Sequence, residues 1–330
     1  MKVAVTGAAG FLGVNVVREM VAAGHEVLAL DRVIPASAID LVGAPEAVSW
    51  TQCDVLDEAA TTTLLEGCDL VMHLVAVVTL RQEDPIAWRV NVEGVGTVAR
   101  AALAAGVGRM VNCSSLASFH YERHGHVDET TARATDPKLP VYHRSKYAGE
   151  VELRKVIDRG LDALVCNPTG IYGAVDHPTR LSRMNQAMLD AARGRMPVST
   201  SGDFDMVDVR DVARGFRLAA EKGRTGENYL LGGHRFGLAA AQRLAAREVG
   251  RRGPVLLIPS RILGAVAPVL DPITSRLGSE AFSPAGLENI LTSPIVDHGK
   301  AATELGYRPR PTKESIADLV AFFRGQKVLG

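Results

Sequence analysis

The chain opens on an apolar run that breaks into three regularly spaced glycines. Residues 2–13 read KVAVTGAAGFLG, which places Gly7, Gly10 and Gly13 three residues apart. Apolar residues then recur at helical spacing at Val14 and Val17. A short apolar run, a glycine-rich turn and a helical period predict a strand, a tight turn and a helix. This unit constrains the fold strongly, because a second strand follows it directly.

The glycine spacing predicts a binding site for the phosphates of a dinucleotide. Gly7 permits the turn, Gly10 lets a phosphate approach the backbone, and Gly13 lets the helix pack closely. The free N–H groups at the start of the helix, which includes Phe11 and Leu12, would face the anion. A purely structural turn is the alternative, and the intact strand, turn and helix context disfavours it.

An acidic residue ends the second predicted strand. Asp31 follows the run Glu26–Leu30 and stands 18 residues after Gly13. Its carboxylate can accept hydrogen bonds from both hydroxyls of the adenosine ribose of NAD, and it repels the 2'-phosphate of NADP. Arg32 weakens this inference, because an arginine there could hold the extra phosphate. We therefore expect NAD as the cofactor, with NADP as the open alternative.

Charge and hydropathy exclude several classes of partner. Lys+Arg and Asp+Glu both number 37 in 330 residues, and no basic block occurs, so we expect neither nucleic acid nor a membrane surface as a partner. The apolar stretch 262–270 is too short to span a membrane, and no leader precedes the first strand. The widely spaced cysteines show no zinc pattern and suit a cytoplasmic protein: Cys53, Cys68, Cys113 and Cys166.

Strand-like and helical stretches alternate along the first 231 residues. Strands are predicted at 48–50, 68–76, 109–113 and 227–231, and a long helix at 85–105. This regularity predicts an α/β fold with a doubly wound parallel Rossmann sheet, whose ligands bind at the carboxyl ends of the strands. We expect a dinucleotide-binding domain over 1–167, to which 207–232 returns. Residues 168–330 should mainly form a smaller substrate-binding domain.

Several polar residues fall near the predicted strand ends. Asp54 follows strand three and could either hydrogen-bond the adenine amino group or cap the helix that begins near Glu58; both interpretations stay open. His73 lies within strand four and is interpreted as a core histidine. His120, His124 and His126 lie in a polar stretch where no regular element fixes them on one face. We therefore predict no metal site there and expect these histidines to rim a substrate entrance.

The segment 142–150, YHRSKYAGE, carries the candidate chemistry. On a helix, Tyr142 and Lys146 share one face and point a phenol and an ammonium toward the crevice. A tyrosine of ordinary pKa, about 10, is a poor base near neutrality, and a nearby lysine and a cationic nicotinamide can lower that pKa. Ser115, after strand five, could donate a hydrogen bond to the same substrate oxygen. Ser115, Tyr142 and Lys146 are the predicted catalytic residues.

In this combination of motifs the chain resembles the extended short-chain dehydrogenase/reductase family, also called the NAD-dependent epimerase/dehydratase family. The matches run nearly the full length, and the combination is far more specific than any single motif. The matching segments are 6–13, Asp54, 73–76, 91–94, 114–115, 142–146, 167–173 and 207–213.

The resemblance implies a Rossmann domain with a small C-terminal substrate domain. It implies that Tyr142 is the acid/base, that Lys146 contacts the nicotinamide ribose and that Ser115 polarises the substrate oxygen. It also implies a homodimer formed through helices near 88–105 and 143–158. The predicted cofactor-binding residues are Gly7, Gly10, Phe11, Leu12, Gly13, Asp31, Arg32, Asp54, Val55, Leu74, Ala76, Asn91, Tyr142, Lys146, Asn167 and Thr169.

The departures from the family pattern concern the substrate. Many nucleotide-sugar members carry an arginine that contacts the substrate diphosphate where this chain reads Asp203–Asp208, DFDMVD. The stretches 167–171 and 182–186 look more like dihydroflavonol-reductase-like members, which act on less polar ketones and alcohols. Most reductases of that branch favour NADP, and Asp31 disagrees.

We therefore predict an NAD(P)-dependent oxidoreductase that interconverts a secondary alcohol and a ketone on a small-molecule, fairly apolar substrate. Two alternatives stay open. The first is an NAD-dependent epimerase or dehydratase that uses the same residues on a nucleotide sugar. The second is a catalytically silent dinucleotide sensor that binds a protein partner.

Overall fold

The structure is a computed structural model that describes residues 1–121, 125–259 and 293–329. Two sequence predictions, the apolar stretch 262–270 and His124, lie outside these residues. Within them the chain forms a seven-stranded sheet in which every neighbouring pair is parallel, in the order β11-β7-β5-β4-β1-β2-β3. Its strands are β1 Lys2–Thr6, β2 Glu26–Asp31, β3 Val48–Gln52, β4 Leu70–His73, β5 Arg109–Cys113, β7 Ala163–Pro168 and β11 Asn228–Leu231.

Helices cover both faces of this sheet, which confirms the doubly wound Rossmann fold. One apolar cluster joins the sheet to α1 and α8, and a second joins its other face to α3, α5 and α6. The helices are α1 Phe11–Ala22, α2 Ala36–Val42, α3 Glu58–Leu65, α4 Pro85–Trp88, α5 Gly94–Ala104, α6 Val141–Ile157 and α8 Val209–Lys222.

Strand four and the long helix differ in detail from their predicted forms. The strand ends at His73 rather than at residue 76, because Leu74 N makes a last hydrogen bond to Thr6 O at 3.0 Å and the chain then leaves the sheet. The helix over 85–105 is confirmed, but residues Arg89–Glu93 form a π-helical turn between α4 and α5. This turn places Asn91 O against Gly149, where an added Cβ would lie only 2.3 Å away.

A third apolar cluster joins α7, α9, α10 and the strand β10, and a small fourth cluster includes Val127 and Val296. Three strands pair beside the third cluster in the order β12-β10-β8. The division of domains at residue 167 stays a prediction. The elements outside the seven-stranded sheet and its covering helices are β6 His126–Val127, β8 Gly170–Tyr172, α7 Arg183–Ala192, β9 Val198–Thr200, β10 Asp203–Asp208, β12 His234–Gly237, α9 Leu238–Arg247, β13 Leu256–Ile258, β14 Ile295–Val296, a π-helical turn Ala301–Leu305 and α10 Thr312–Gly325.

Candidate active site

The glycine turn between β1 and α1 has the shape that close approach of a phosphate requires. Gly7 adopts a φ of +74°, which L side chains rarely adopt. An added Cβ on Gly13 would lie 2.1 Å from Gly7 O, so only glycine lets the helix pack this closely on the turn. Gly10 precedes the helix without a side-chain cap, which leaves the N–H groups of the first turn available to an anion.

The Asp31 carboxylate lies directly beside this turn. Its Oδ2 accepts a hydrogen bond from Ala9 N at 3.0 Å, and its Oδ1 accepts one from Val33 N at 3.4 Å. The acidic group is therefore fixed beside the glycine turn, and its contact with an adenosine ribose stays a prediction. Arg32 is exposed beside it.

Asp54 does not cap the following helix. The helix α3 does begin at Glu58, but its cap is Asp57, whose Oδ1 accepts a hydrogen bond from Ala60 N at 3.0 Å. The Asp54 side chain instead accepts from Leu56 N at 3.0 Å and stays exposed. The capping interpretation is wrong, because Asp57 stands one position before the first helical residue. The adenine interpretation of Asp54 stays a prediction, and Val55 is buried beside it.

His73 is a buried member of the sheet. Its Nδ1 lies 2.7 Å from Thr6 Oγ1, and the residue is inaccessible to solvent. Burial, with a smaller contribution from the nearby Lys146 cation, lowers the pKa of the imidazole to about 3. The ring is therefore neutral at ordinary pH, in agreement with its interpretation as a core histidine.

The loop after β4 carries Leu74 and Ala76 and is held by Asn91. The buried Asn91 amide accepts from Val77 N at 2.8 Å and donates to Val77 O at 3.0 Å and to Ser145 Oγ at 3.0 Å. An added Cβ on Gly7 would lie 3.0 Å from Val75 N, so the loop borders the glycine turn. Asn91 thus positions the predicted cofactor loop, and its own amide is occupied by protein atoms.

The fold brings the three predicted catalytic residues together at the carboxyl end of β5. The Ser115 hydroxyl lies close enough to the Tyr142 phenol to lower its pKa in part, while Ser115 Oγ accepts a hydrogen bond from Ala117 N at 3.2 Å. Lys146, one turn along α6 from Tyr142, donates from Nζ to Cys113 O at 2.7 Å. Lys146 is buried at 3% exposure, so its ammonium is enclosed by the site rather than extended into solvent.

The protein's own surroundings raise the pKa of Tyr142. Burial raises it to about 12, and the Ser115 hydroxyl only partly opposes that rise. Burial also lowers the pKa of Lys146, which Cys113 and Glu150 partly oppose. The predicted fall includes the effect of a bound cationic nicotinamide and stays a prediction. In the protein's own surroundings the phenol loses more hydration than its polar neighbours return. The protein surroundings therefore hold Tyr142 as the protonated acid.

Asn167 and Thr169 are occupied by neighbouring side chains. The fully buried Asn167 Nδ2 donates to Ser115 O at 3.2 Å, to Ser118 Oγ at 3.1 Å and to Glu150 Oε1 at 2.9 Å. Thr169 Oγ1 donates to Asp205 Oδ1 at 2.6 Å. Sequence reasoning missed Glu150, although it follows Lys146 by four residues and the helical period alone could have indicated it.

The histidines of the polar stretch do not form a metal centre in the part of the chain that the structure describes. His120 and His126 are exposed, and no group of three His, Cys, Asp or Glu side chains there is placed to hold a metal ion. His177 places Nε2 2.8 Å from Ala9 O and Nδ1 3.1 Å from Ser37 Oγ. It therefore packs against the glycine turn.

A parallel Rossmann sheet, a glycine cradle and an acidic residue at the end of β2 define a dinucleotide-binding protein of the α/β class. A family model confirms and narrows this class: the NAD dependent epimerase/dehydratase family matches residues 3–232. The chain belongs to that family, whose other name is the extended short-chain dehydrogenases/reductases. This membership confirms the predicted resemblance, the enzyme class and the expectation of NAD.

Relatives match the chain over almost its whole length. Sterol demethylase protein B of Methylococcus capsulatus is 32% identical over 98% of this chain and 98% of its own. A Synechocystis protein described provisionally as a dihydroflavonol 4-reductase is 29% identical over 97% of this chain and 94% of its own. The crystal structure of gox2253 superposes with a TM-score of 0.85 at 31% identity and covers 99% of both chains.

In residues 1–121, 125–259 and 293–329, each helix is either too short or too polar to cross a bilayer.

Proposed function

We propose that this protein interconverts a secondary alcohol and a ketone, with NAD as the hydride carrier and Ser115, Tyr142 and Lys146 as the catalytic residues. The observation that carries the proposal is that the Ser115 hydroxyl, the Tyr142 phenol and the buried Lys146 meet at the end of β5, where Lys146 Nζ donates to Cys113 O at 2.7 Å. A hydroxyl and a phenol on neighbouring elements can both reach a single substrate oxygen. That arrangement suits proton transfer to or from a carbonyl oxygen.

The residues present fit a dinucleotide. The cradle at Gly7 and Gly13 has no room for a Cβ, and Asp31 stands at its edge with its carboxylate fixed. The same carboxylate supports NAD over NADP, because it would repel a 2'-phosphate. When bound, the nicotinamide supplies or accepts the hydride.

The chain's own residues manage the proton. Tyr142 is held protonated by burial, so in the direction of ketone reduction it donates its phenolic proton to the carbonyl oxygen. Ser115 donates a hydrogen bond to the same oxygen and stabilises the charge that develops there. Lys146 places its cation in the enclosed site, where the phenolate that forms is stabilised by it. Oxidation of the alcohol reverses each step.

Two features support a fairly apolar substrate. The run Asp203–Asp208 lacks the arginine expected for a nucleotide sugar, and its Asp205 is buried and bonded to Thr169 and to Gly233 N. The names of two relatives, one a sterol demethylase protein and the other a dihydroflavonol reductase, refer to ring-shaped, weakly polar molecules. We therefore expect a cyclic ketone or alcohol rather than a sugar diphosphate.

A substrate panel tests this proposal. Purified protein is incubated with NADH and NADPH against cyclic ketones, and with NAD against the matching alcohols, while absorbance at the nicotinamide band is followed. We expect turnover with a cyclic ketone or alcohol and a preference for the non-phosphorylated cofactor. Conversion of a UDP- or dTDP-sugar without net change in NADH would instead support the epimerase or dehydratase alternative, which the family description favours.

We also propose that the protein is a cytoplasmic homodimer that pairs through α5 and α6. The outer face of α6 carries Val151, which is 39% exposed, beside a groove of about 300 Å³ lined in part by Tyr147 and Arg154. Light scattering should give twice the mass of the 35.1 kDa chain, and Val151→Glu should lower that mass. An unchanged mass for that variant would contradict this interface.

A further inference from the structure

A buried carboxylate lies behind the catalytic residues and touches none of the atoms assigned to the reaction. Glu150 follows Tyr142 by eight residues and Lys146 by four, so all three side chains share one face of α6. Glu150 is only 8% exposed. A carboxylate in such a place requires partners, because burying an unpaired charge is costly.

Three groups from different parts of the fold satisfy this carboxylate. Its Oε1 accepts from Asn167 Nδ2 at 2.9 Å, and its Oε2 accepts from Asn228 Nδ2 at 3.0 Å. Arg133 Nη2 lies 3.2 Å from Oε2. Asn228 Nδ2 also donates to Asn167 Oδ1 at 2.9 Å. The Asn167 amide is therefore oriented at both ends, and its NH₂ group must face Glu150.

The orientation of the Asn167 amide determines whether a donor or an acceptor faces the backbone carbonyl of Ser115. Asn167 Nδ2 also donates to Ser115 O at 3.2 Å and to Ser118 Oγ at 3.1 Å, within the short turn that follows β5. If the amide turned over, its oxygen would face Ser115 O and repel it. Through Asn167, Glu150 thus connects the helix that carries Tyr142 with the backbone of Ser115.

We infer that Glu150 is a positioning residue of the active site, which acts through Asn167 to hold the backbone of Ser115 at the distance from Tyr142 that the reaction requires. This inference rests on the proposed function, because it assigns Ser115 a role at the substrate oxygen. Glu150 itself transfers no proton or other group. Its carboxylate orients the Asn167 side-chain amide, and that amide holds the Ser115 backbone carbonyl.

The test is a double-mutant cycle between Glu150→Gln and Ser115→Ala, read as kcat and KM for the ketone. In the native background, Glu150→Gln should lower kcat on the order of 10- to 100-fold with little change in KM for NADH, because the serine is displaced and the cofactor cradle is not. In the Ser115→Ala background, the same substitution should leave kcat unchanged.

A matched control separates positioning from stability. Asp211 is another buried carboxylate that pairs with an arginine, Arg310, at 3.0 Å, and it does not contact the Ser115 turn. Asp211→Asn should lower the melting temperature and leave kcat unchanged in both backgrounds. If Glu150→Gln does not fold, Asn167→Leu cuts the same link while keeping the carboxylate, and it should show the same dependence on Ser115.

The outcomes are distinct. An equal fall in kcat for Glu150→Gln with and without the Ser115 hydroxyl, or no fall at all, would overturn the positioning role. A Ser115→Ala variant that reduces ketones at the native rate would instead overturn the proposed function.

Discussion

The two faces of the central sheet differ most at the carboxyl ends of its strands. At the ends of β1, β4, β5 and β7, the face packed by α1 and α8 carries buried apolar residues, and the face packed by α5 and α6 carries buried polar residues one position later. The neighbouring pairs are Val5 and Thr6, Met72 and His73, Val111 and Asn112, and Cys166 and Asn167. Because successive side chains of a strand point to opposite faces, a one-residue step separates the two environments.

Residues on one face of the sheet therefore contribute mainly to stability, and residues on the other face contribute mainly to the reaction. The apolar face resembles any Rossmann core, and its residues contribute mainly by excluding water. The polar face holds the partners of Ser115, Tyr142 and Lys146, and it does so with side chains that are almost fully buried. Substitutions on the two faces should therefore change different measurable quantities.

The largest effect is expected on the polar face, from Tyr142→Phe. This change removes the phenolic proton and keeps the ring, so kcat should fall about 10²- to 10⁴-fold while NAD binding and the melting temperature stay near native values. Steady-state kinetics with the best ketone of the panel and calorimetric titration with NAD measure the two quantities. A large fall in the melting temperature of Tyr142→Phe would contradict the expectation that residues of the polar face act mainly on kcat.

On the apolar face, Leu164→Ala should mainly change stability. Leu164 is inaccessible to solvent in the cluster that includes α8. Its truncation leaves a cavity, and we expect the free energy of unfolding to fall by about 2–5 kcal/mol. Denaturant unfolding measures this, and kcat of the folded variant should stay close to native. A large fall in kcat at temperatures where the variant is folded would contradict the expectation that the apolar face acts mainly on stability.

His73 should make the polar face sensitive to acid. Its pKa in the folded chain is about 3 against an ordinary value of 6.5, so the unfolded chain binds the proton more readily below pH 6.5. Its contribution to stability is therefore complete above pH 6.5 and is lost as pH falls toward 3, by about 1.4 kcal/mol for each pH unit. Unfolding of native protein and of His73→Gln between pH 7 and 4 should show a shallower slope for the variant. Equal slopes would mean that His73 titrates normally.

The smallest effect is expected from Tyr229→Phe, the same chemical change as Tyr142→Phe on the opposite face. The Tyr229 hydroxyl donates to Glu304 Oε2 at 2.7 Å and accepts from Arg224 N at 3.0 Å. Its loss should lower the free energy of unfolding by about 1 kcal/mol and leave kcat unchanged. A kinetic effect comparable to that of Tyr142→Phe would show that the contrast between the faces is wrong.

Local patterns predicted the parts of the site that depend on local geometry. Gly7, Gly10 and Gly13 are recognised by spacing, because the turn between one strand and the next helix requires them. Tyr142 and Lys146 are recognised by the helical period. The strand that ends in Asp31 was likewise predicted with its correct limits.

Features that depend on distant contacts were not predictable. Asn228 meets Glu150 across 78 residues of sequence, and no local period relates them. The rise in the pKa of Tyr142 follows from burial, which only the folded chain defines. The cap of α3 is Asp57 rather than Asp54, three residues earlier, and strand four ends early because Thr6 O accepts its last hydrogen bond.

We propose that hydride passes from NADH to the carbonyl carbon of a ketone whose oxygen Tyr142 protonates. The most direct test is a reaction of the native protein with [4,4-²H₂]NADH and the preferred ketone, followed by mass spectrometry of the product. We expect deuterium at the carbinol carbon of the alcohol in the native reaction, and its near absence with Tyr142→Phe over the same time. A product formed without deuterium, or equal labelling by both proteins, would contradict the claim.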